Sequence, residues 1–269
     1  MTTSRLSGHL LAIWGGYGSP GRTTVAIALA RAFGLLSGST LLIDADTYGA
    51  DIGHLLAISG GPTIANAAHR CKRRELGRSL PELATKFAPG TDVLPGIPHP
   101  GLWRDLESPQ IEAVLALAAS AYQWVVIDTS PCIEQAEGCV SRNAVACTVL
   151  RSADHILLIC RADPAGVQSF ARALEELTDD LMVEISRVFV AVNRVPARSA
   201  TRRMVRIQRE INNASGITPL AWLSEDPAVL SALWAGRTLH DHAPRARFVG
   251  QIHDLAGCLD HLHEREVSA

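Results

Sequence analysis

The chain has 269 residues, of which 47% are hydrophobic, and its formal net charge is −2. This length suits one large α/β domain or two small ones, and the apolar content is enough for a sizeable core. The nearly balanced charge argues against a protein that is basic as a whole and coats nucleic acid. The 6 cysteines form no C-x-x-C pair, so the sequence indicates neither a zinc site nor a redox motif.

The apolar run near the N-terminus is too short for a signal or membrane-spanning segment. No run reaches about 18 apolar residues, the length that a spanning helix needs. The last predicted helix carries acids and histidines instead of the basic amphipathic face of a membrane-binding tip. We therefore expect a cytoplasmic protein without a strong membrane-targeting signal.

Short apolar runs alternate with helical patterns along the chain. The runs predict strands at residues 10–14, 40–44, 92–96, 124–128, 156–160, 188–193 and 219–223. The patterns between them predict helices at 23–37, 54–58, 63–71, 111–122, 165–177, 198–213, 227–235 and 247–263. Near-continuous apolar strands that alternate with helices predict a doubly wound, mostly parallel α/β sheet with helices on both faces. Because there is no internal repeat and no clear interdomain linker, we expect residues 1–269 to form a single domain.

The stretch between the first strand and the first helix is rich in glycine and fits two patterns. Gly16, Gly18 and Gly21 match G-x-G-x-x-G, the dinucleotide fingerprint, and Asp44 stands near the position of its ribose-binding acid. Residues 16–23 also match G-x-x-x-x-G-K-[ST], the phosphate loop, with Arg22 in the lysine position. Either pattern would place backbone N–H groups and a helix N-terminus around phosphate.

Three features favour a mononucleotide over a dinucleotide. Arg22 and Thr23 supply a cation and a hydroxyl directly after the loop, which a phosphate loop needs and a dinucleotide fold does not. Asp128 ends an apolar strand and is followed by a turn, as expected of a Walker B acid that holds hydrated Mg²⁺. Asn193, at the end of a late strand, could present its amide to a purine ring. Because ligands bind at the carboxyl ends of such strands, we expect these side chains to converge.

These motifs resemble those of the MinD/ParA group of P-loop ATPases, the deviant Walker A branch, and most of all its actinobacterial MinD-like and CpaE-like (TadZ-like) members. The resemblance covers nearly the whole chain and rests on GSPGRTT (18–24), LIDAD (42–46), VLPG (93–96), VIDTSP (126–131), VNRV (192–195), SEDP (224–227) and AGR (235–237). It implies the P-loop NTPase fold of the SIMIBI class and an ATPase that uses ATP and Mg²⁺. It also implies a nucleotide-dependent homodimer that positions a division, partition, pilus or secretion assembly with an unknown protein partner.

The resemblance implies which residues bind the nucleotide. The residues that would wrap the α- and β-phosphates are Gly16, Tyr17, Gly18, Ser19, Pro20, Gly21 and Arg22. Thr24 would lie near the α-phosphate. Asn193 would meet adenine, with the Asp226-Pro227 loop packing nearby.

The metal and catalytic residues are implied in the same way. Thr23 would bind Mg²⁺, Asp128 would hold it through water, and Asp44 would lie near the metal. Asp46 would orient the attacking water, and Arg22 would neutralise phosphate charge. In such a mechanism the protein mostly positions a water and offsets negative charge.

The loop departs from the family pattern at positions that matter for turnover. Arg22 replaces the usual phosphate lysine, and its planar, forked guanidinium differs from a point charge. Tyr17 replaces the signature lysine that reaches across the family's dimer, and Ser19 and Cys132 replace usual glycines. Losing a cation aimed at transition-state charge can cost several powers of ten in rate. We therefore expect binding of ATP and Mg²⁺ to survive better than hydrolysis.

Two other functions stay open at this point. One is a degenerate, non-hydrolysing nucleotide-binding scaffold, and the other is an NAD(P)-binding Rossmann oxidoreductase. A cluster of arginines also admits a nonspecific DNA surface, but we favour a solvated helix face because no aromatic residues interleave with it. The cluster consists of Arg194, Arg198, Arg202, Arg203, Arg206 and Arg209.

Overall fold

The computed structural model describes residues 8–18, 20–73, 80–134, 141–196 and 200–267. Its strands are β1 (His9–Trp14), β2 (Thr40–Ala45), β3 (Thr85–Ala88), β4 (Thr91–Leu94), β5 (Trp124–Thr129), β6 (His155–Arg161), β7 (Val188–Val195) and β8 (Ala221–Ser224). They form one 8-stranded sheet in the order β3-β4-β2-β5-β1-β6-β7-β8. Neighbouring strands pair in parallel except β3 and β4, which are antiparallel. The predicted mostly parallel α/β sheet is confirmed.

The order of the strands contradicts the Rossmann alternative. In a dinucleotide-binding sheet the strand that follows the first helix pairs directly with the first strand. Here β5 lies between β1 and β2, since Val126 pairs with Leu11 on one side and with Leu42 on the other. The Rossmann fold of that alternative was therefore wrong, although the glycine spacing alone allowed it.

Helices cover both faces of the sheet. They are α1 (Arg22–Ser37), α2 (Ile52–Leu55), α3 (Ile64–Lys72), α4 (Leu80–Leu83), α5 (Ser108–Ala121), α6 (Ala144–Ser152), α7 (Pro164–Glu175), α8 (Ala200–Ser215), α9 (Pro227–Trp234), α10 (Leu239–His242) and α11 (Arg247–Val267). α1 and α11 pack on one face, and α3, α5, α6 and α7 pack on the other. Within the described ranges, no helix has both the length and the apolar character needed to cross a bilayer.

The two hydrophobic cores explain why the strands are apolar throughout. Alternate side chains of a strand point to opposite faces of the sheet. In β1, Leu11 and Ile13 enter the core under α1 and α11, whereas Ala12 and Trp14 enter the core on the other face. All four side chains are buried. A strand that is covered on both sides therefore shows a continuous apolar run instead of an alternating one.

The sequence patterns missed some elements and shifted others. β3 forms a hairpin with β4 at the edge of the sheet, where its side chains are only half-buried or exposed, so it carries no apolar run. α6 was also missed, although most of its side chains are buried. The helix predicted at 54–58 begins earlier, as α2, and the strand predicted at 219–223 begins later, as β8.

Candidate functional site

The glycine-rich stretch between β1 and α1 forms a tight loop at the carboxyl edge of the sheet. Gly18 has φ 98° and Gly21 has φ 93°, a left-handed conformation that side chains disfavour. Gly21 directly precedes α1, so the loop leads straight into the helix N-terminus. Ser19, which the sequence assigns to the phosphates, lies outside the described residues. A loop of this shape ahead of a helix is suited to binding phosphate.

The Arg22 side chain folds back under this loop. Its Nη1 donates to the carbonyl oxygen of Gly15 at 2.9 Å and to that of Gly16 at 3.1 Å. Burial lowers the pKa of the guanidinium, while the nearby carboxylates of Asp128 and Asp46 act in the opposite direction. The structure therefore places a cation inside the candidate site, close to the two acids that the sequence had assigned to it.

Side chains from β6 and α7 fix the peptide groups of the loop from outside. Ser169 Oγ donates to the carbonyl oxygen of Tyr17 at 2.9 Å, and Arg161 Nη1 donates to that of Gly18 at 2.8 Å. A Cβ on Gly16 would lie 2.4 Å from Ser169 Oγ, so α7 packs against the loop only because residue 16 is glycine. The sequence patterns predict neither Arg161 nor Ser169 for the site. Arg161 is the last residue of the apolar strand β6, and Asn193 likewise lies near the end of β7, so this strand-end position was the available signal.

Asp128 and Thr23 meet where β5 ends and α1 begins. Asp128 is 2% exposed, and among the described residues its Oδ1 has no hydrogen-bond partner. Burial raises the pKa of this carboxyl to about 7, against the opposing effects of a hydrogen bond from the Thr23 side chain and of the Arg22 charge. An unpaired buried carboxylate oxygen is costly unless a cation satisfies it. With the neighbouring hydroxyl it offers the oxygen ligands that Mg²⁺ prefers while keeping several waters.

Asp44 lies beside Asp128 on the neighbouring strand, but its oxygens are already engaged. The two aspartates are register partners of β2 and β5. Asp44 Oδ1 accepts from the backbone N–H of Asp46 at 3.2 Å, and Oδ2 accepts from that of Ile52 at 3.0 Å. Burial, and then the charge of Asp128, raise the pKa of Asp44 well above its usual range. Asp44 is thus near the site and organises the loop that follows β2.

Asp46 begins this loop, and its side chain is half-buried. Its Oδ1 accepts from the backbone N–H groups of Tyr48 at 2.7 Å and of Gly49 at 3.1 Å. These two bonds orient the carboxylate within the loop.

Asn193 supports the glycine-rich loop directly. It is 4% exposed, and its Nδ2 donates to the carbonyl oxygen of Pro20 at 2.8 Å. Asp226 caps α9, since its Oδ1 accepts from the backbone N–H of Ala228 at 3.0 Å, and Pro227 is the first residue of that helix. Contact of Asn193, Asp226 or Pro227 with an adenine stays a prediction.

Tyr17 is 61% exposed at the mouth of the loop, although its hydroxyl group is bonded within the chain. A hydrogen bond to Cys132, followed by burial, raises the pKa of this phenol to about 12. Tyr17 and Cys132 are therefore in contact with each other. Thr24 is half-buried in the first turn of α1.

Hydrogen bonds join β1 to β5 beneath the site. Trp14 Nε1 donates to the carbonyl oxygen of Ser130 at 3.0 Å, and Thr129 Oγ1 donates to that of Ile13 at 3.0 Å. Both donors are buried, so these bonds are shielded from water. The strand that leads into the glycine-rich loop and the strand that carries Asp128 are thus held together at their carboxyl ends.

Comparison with solved structures shows the same fold in ATPases. A ParA family ATPase from Chlorobium tepidum TLS has a TM-score of 0.79 at 18% identity, covering 92% of this chain and 98% of that one. The septum site-determining protein MinD from Pyrococcus horikoshii OT3, complexed with Mg-ADP, has a TM-score of 0.73 at 16% identity, covering 95% and 97%. A substituted McdA from Cyanothece, in complex with ATP, has a TM-score of 0.70 at 18% identity, covering 96% and 97%.

No protein-family model and no curated protein sequence matches the chain. The chain therefore has the fold of ParA and MinD ATPases over nearly its full length, at a sequence identity that establishes the fold alone.

Proposed function

We propose that this protein binds ATP with Mg²⁺ and acts as a ParA/MinD-like ATPase. The observation that carries the proposal is the buried Asp128 oxygen beside Thr23, which has no hydrogen-bond partner within the described part of the chain. Magnesium is the group that this pair fits, because the ligands are oxygens and one of them carries charge. Two similar structures support the choice of nucleotide, since one is a complex with Mg-ADP and the other a complex with ATP.

The proposal assigns each part of the site a task. Gly16–Arg22 would bind the α- and β-phosphates, with Ser169 and Arg161 holding the loop in shape. Thr23 and, through water, Asp128 would hold the ion, which when bound neutralises phosphate charge. Asp46 would orient the attacking water.

We further propose that the protein has kept the binding of ATP and Mg²⁺ better than it has kept ATP hydrolysis. Tyr17 offers no cation to a neighbouring subunit, and its hydroxyl group is bonded to Cys132 of its own chain. A non-hydrolysing scaffold is the alternative at this point, and phosphate release distinguishes it from an ATPase. A closer kinship to CpaE-like proteins belongs to the same proposal and rests on the sequence motifs.

The cellular role that we propose is spatial organisation by a nucleotide-dependent homodimer with a protein partner. The names of two similar structures, a ParA family ATPase and a septum site-determining protein, support this class of task. A nonspecific DNA surface is not favoured. The arginine cluster of the sequence falls mostly on α8, where its side chains are exposed to solvent, and Arg198 lies outside the described residues. The exposed arginines of α8 are Arg202, Arg203, Arg206 and Arg209.

The test is nucleotide binding by the purified full chain, measured by calorimetry with and without Mg²⁺. We expect ATP and ADP to bind in the presence of Mg²⁺ and NAD not to bind. Asp128→Asn should weaken Mg²⁺-dependent binding at least about tenfold, because the amide keeps the shape and removes the charge. Asp105→Asn, outside the site, is the matched control. Binding of NAD in preference to ATP, or equal binding by the wild type and Asp128→Asn, would refute the proposal.

A further inference from the structure

The loop that carries Asp46 is bonded to the residues just before α6. Arg142 Nε and Nη2 both donate to the carbonyl oxygen of Thr47, at 3.0 and 2.6 Å. In return, Thr47 Oγ1 donates to the carbonyl oxygen of Arg142 at 3.1 Å. The two segments are far apart in sequence, so this reciprocal pairing is a specific tertiary contact.

Tyr48 adds a second attachment between the same segments. The guanidinium carbon of Arg142 lies 3.9 Å from the centroid of the Tyr48 ring, close enough for a cation–π interaction. The Tyr48 hydroxyl donates to Asn143 Oδ1 at 2.8 Å. Thr47 and Tyr48 therefore pair side by side with Arg142 and Asn143, and we call these four residues the clamp.

Asn143 extends the clamp to the loop that follows β5. The side chain is 7% exposed, and its Nδ2 donates to the carbonyl oxygen of Glu134 at 2.6 Å and to Cys132 Sγ at 3.1 Å. One amide thus bridges the loop after β2 and the loop after β5. The first of these loops contains Asp46, and the second begins two residues after Asp128.

The clamp acts on Asp46 through the peptide groups that bind its carboxylate. Asp46 directly precedes Thr47, and the N–H groups of Tyr48 and Gly49 donate to its Oδ1. Any movement of Tyr48 therefore moves the donors that orient the carboxylate. We propose that Arg142 and Asn143 are positioning residues that hold Asp46 in place and join its loop to the loop after β5. That Asp46 then faces the γ-phosphate rests on the proposed function.

Arginine is required in this position by geometry as well as by charge. Two nitrogens of one planar group bind a single carbonyl oxygen while the same plane covers an aromatic ring. The ammonium of lysine has no planar face to stack and no fork. Arg142→Lys should therefore behave more like Arg142→Ala than like the wild type.

The first test measures amide hydrogen exchange in the nucleotide-free full chain. In Arg142→Ala, we expect the amides of Tyr48 and Gly49 to exchange at least about tenfold faster, because the loop that presents them is released. Arg151→Ala removes an exposed arginine at the other end of α6 and should leave both amides unchanged. Unchanged exchange at Tyr48 and Gly49 in Arg142→Ala would overturn the proposal.

A milder variant guards against loss of folding. Tyr48→Phe keeps the ring under the guanidinium and removes the hydroxyl, which bonds to Asn143 and also contacts Cys132. We expect faster exchange at Gly49 and faster labelling of Cys132 by a thiol reagent, with the exposed Cys258 as the internal reference. If Tyr48→Phe folds but changes neither rate, the bridge through Asn143 does not exist in solution.

The second test asks whether the clamp acts through Asp46. The readout is the ratio of the affinities for a nonhydrolysable ATP analogue and for ADP, both with Mg²⁺. We expect Arg142→Ala to lower this ratio about fivefold in the wild-type background and to have no effect in an Asp46→Asn background. Equal losses in both backgrounds would refute a positioning role. If the wild type binds neither nucleotide, the proposed function fails, while the exchange measurements still decide whether Arg142 and Asn143 position Asp46.

Discussion

The amide of Asn193 donates to the carbonyl oxygen of Pro20 over 2.8 Å, and both residues are buried. This bond connects β7 to the glycine-rich loop, and the same amide nitrogen lies 2.4 Å from where a Cβ on Gly21 would stand. The amide therefore fills the space that the missing side chain of Gly21 leaves. One side chain, that of Asn193, thus fits β7 to the loop. A substitution at Asn193 or at Gly21 should therefore disturb both the strand and the loop.

We expect Asn193→Ala to lower the free energy of unfolding by about 1–3 kcal/mol, because it leaves the buried carbonyl of Pro20 without its donor. The loss should be accompanied by weaker nucleotide binding, since the loop loses a support. Urea denaturation and calorimetry measure the two effects. Asn213→Ala, at an exposed position of α8, is the control. A stable variant with unchanged nucleotide affinity would show that the bond does not hold the loop.

Gly21→Ala should be more damaging than a helix-propensity argument suggests. The residue has φ 93°, and its new Cβ would meet the Asn193 amide, so we expect a loss of at least about 1–3 kcal/mol. Gly250→Ala is the matched control, because Gly250 lies within α11 and a Cβ there would meet nothing within 4 Å. That variant should gain about 0.5–1 kcal/mol. Thermal melting of both variants checks whether the stability falls in Gly21→Ala and rises in Gly250→Ala. An unchanged melting temperature in Gly21→Ala would contradict the geometry.

The stability of the nucleotide-free protein should depend on the protonation of Asp128. The pKa of about 7 in the folded state lies above the ordinary value of 3.8, so the folded state holds the proton more tightly. The stabilisation from this group is therefore complete below pH 3.8 and is lost as the pH rises through 7. Asp128→Asn should remove this part of the pH dependence and stabilise the nucleotide-free protein at pH 8 by up to about 4 kcal/mol.

Mg²⁺ should reverse this effect, because it needs the ionised carboxylate. We expect the affinity for Mg²⁺ in the presence of ADP to rise between pH 6 and pH 8 in the wild type, and to lack this rise in Asp128→Asn. Denaturation curves and Mg²⁺ titrations across that range supply both measurements. Wild-type stability that tracks Asp128→Asn at every pH would mean that the carboxyl titrates normally.

On the proposed function, placing a cation at position 17 should raise the rate of ATP hydrolysis more than the nucleotide affinity. We expect Tyr17→Lys to increase steady-state ATP hydrolysis by about tenfold or more, since a cation at this position acts on transition-state charge. Nucleotide affinity should change only a few-fold. Tyr17→Gln, which also breaks the bond to Cys132 but adds no charge, is the control. If both variants hydrolyse ATP equally fast, the missing charge does not limit the reaction.

Much of the fold was visible in the sequence because burial on both faces makes a strand apolar throughout. The runs at β1, β2, β5, β6 and β7 were found in this way, and Asp44 and Asp128 at two of their ends came together as expected. β3 was missed because an edge strand with exposed and half-buried side chains leaves no such run. The choice between the dinucleotide pattern and the phosphate-loop pattern required the strand order, which depends on pairing across the whole sheet.

The supporting side chains of the site could not be predicted, because each acts on a distant segment. Ser169 lies on an amphipathic helix, where nothing marks it as the donor to the Tyr17 carbonyl. Arg142 lies before a helix that the patterns did not reveal, and its partner Thr47 is in the loop after β2. Asn193 was predicted for the site from its strand-end position. Which group its amide binds depends on how closely the loop approaches β7.

The pair of bonds from Trp14 to Ser130 and from Thr129 to Ile13 limits where a nucleotide-driven movement can begin. Because they join β1 and β5 up to the end of β5, these strands form one stationary base. Pro131 is then the first residue after this base, and it stands one residue before the thiol that contacts Tyr17. If a nucleotide binds as proposed, we expect both strands to keep their places and any rearrangement to fall after Ser130.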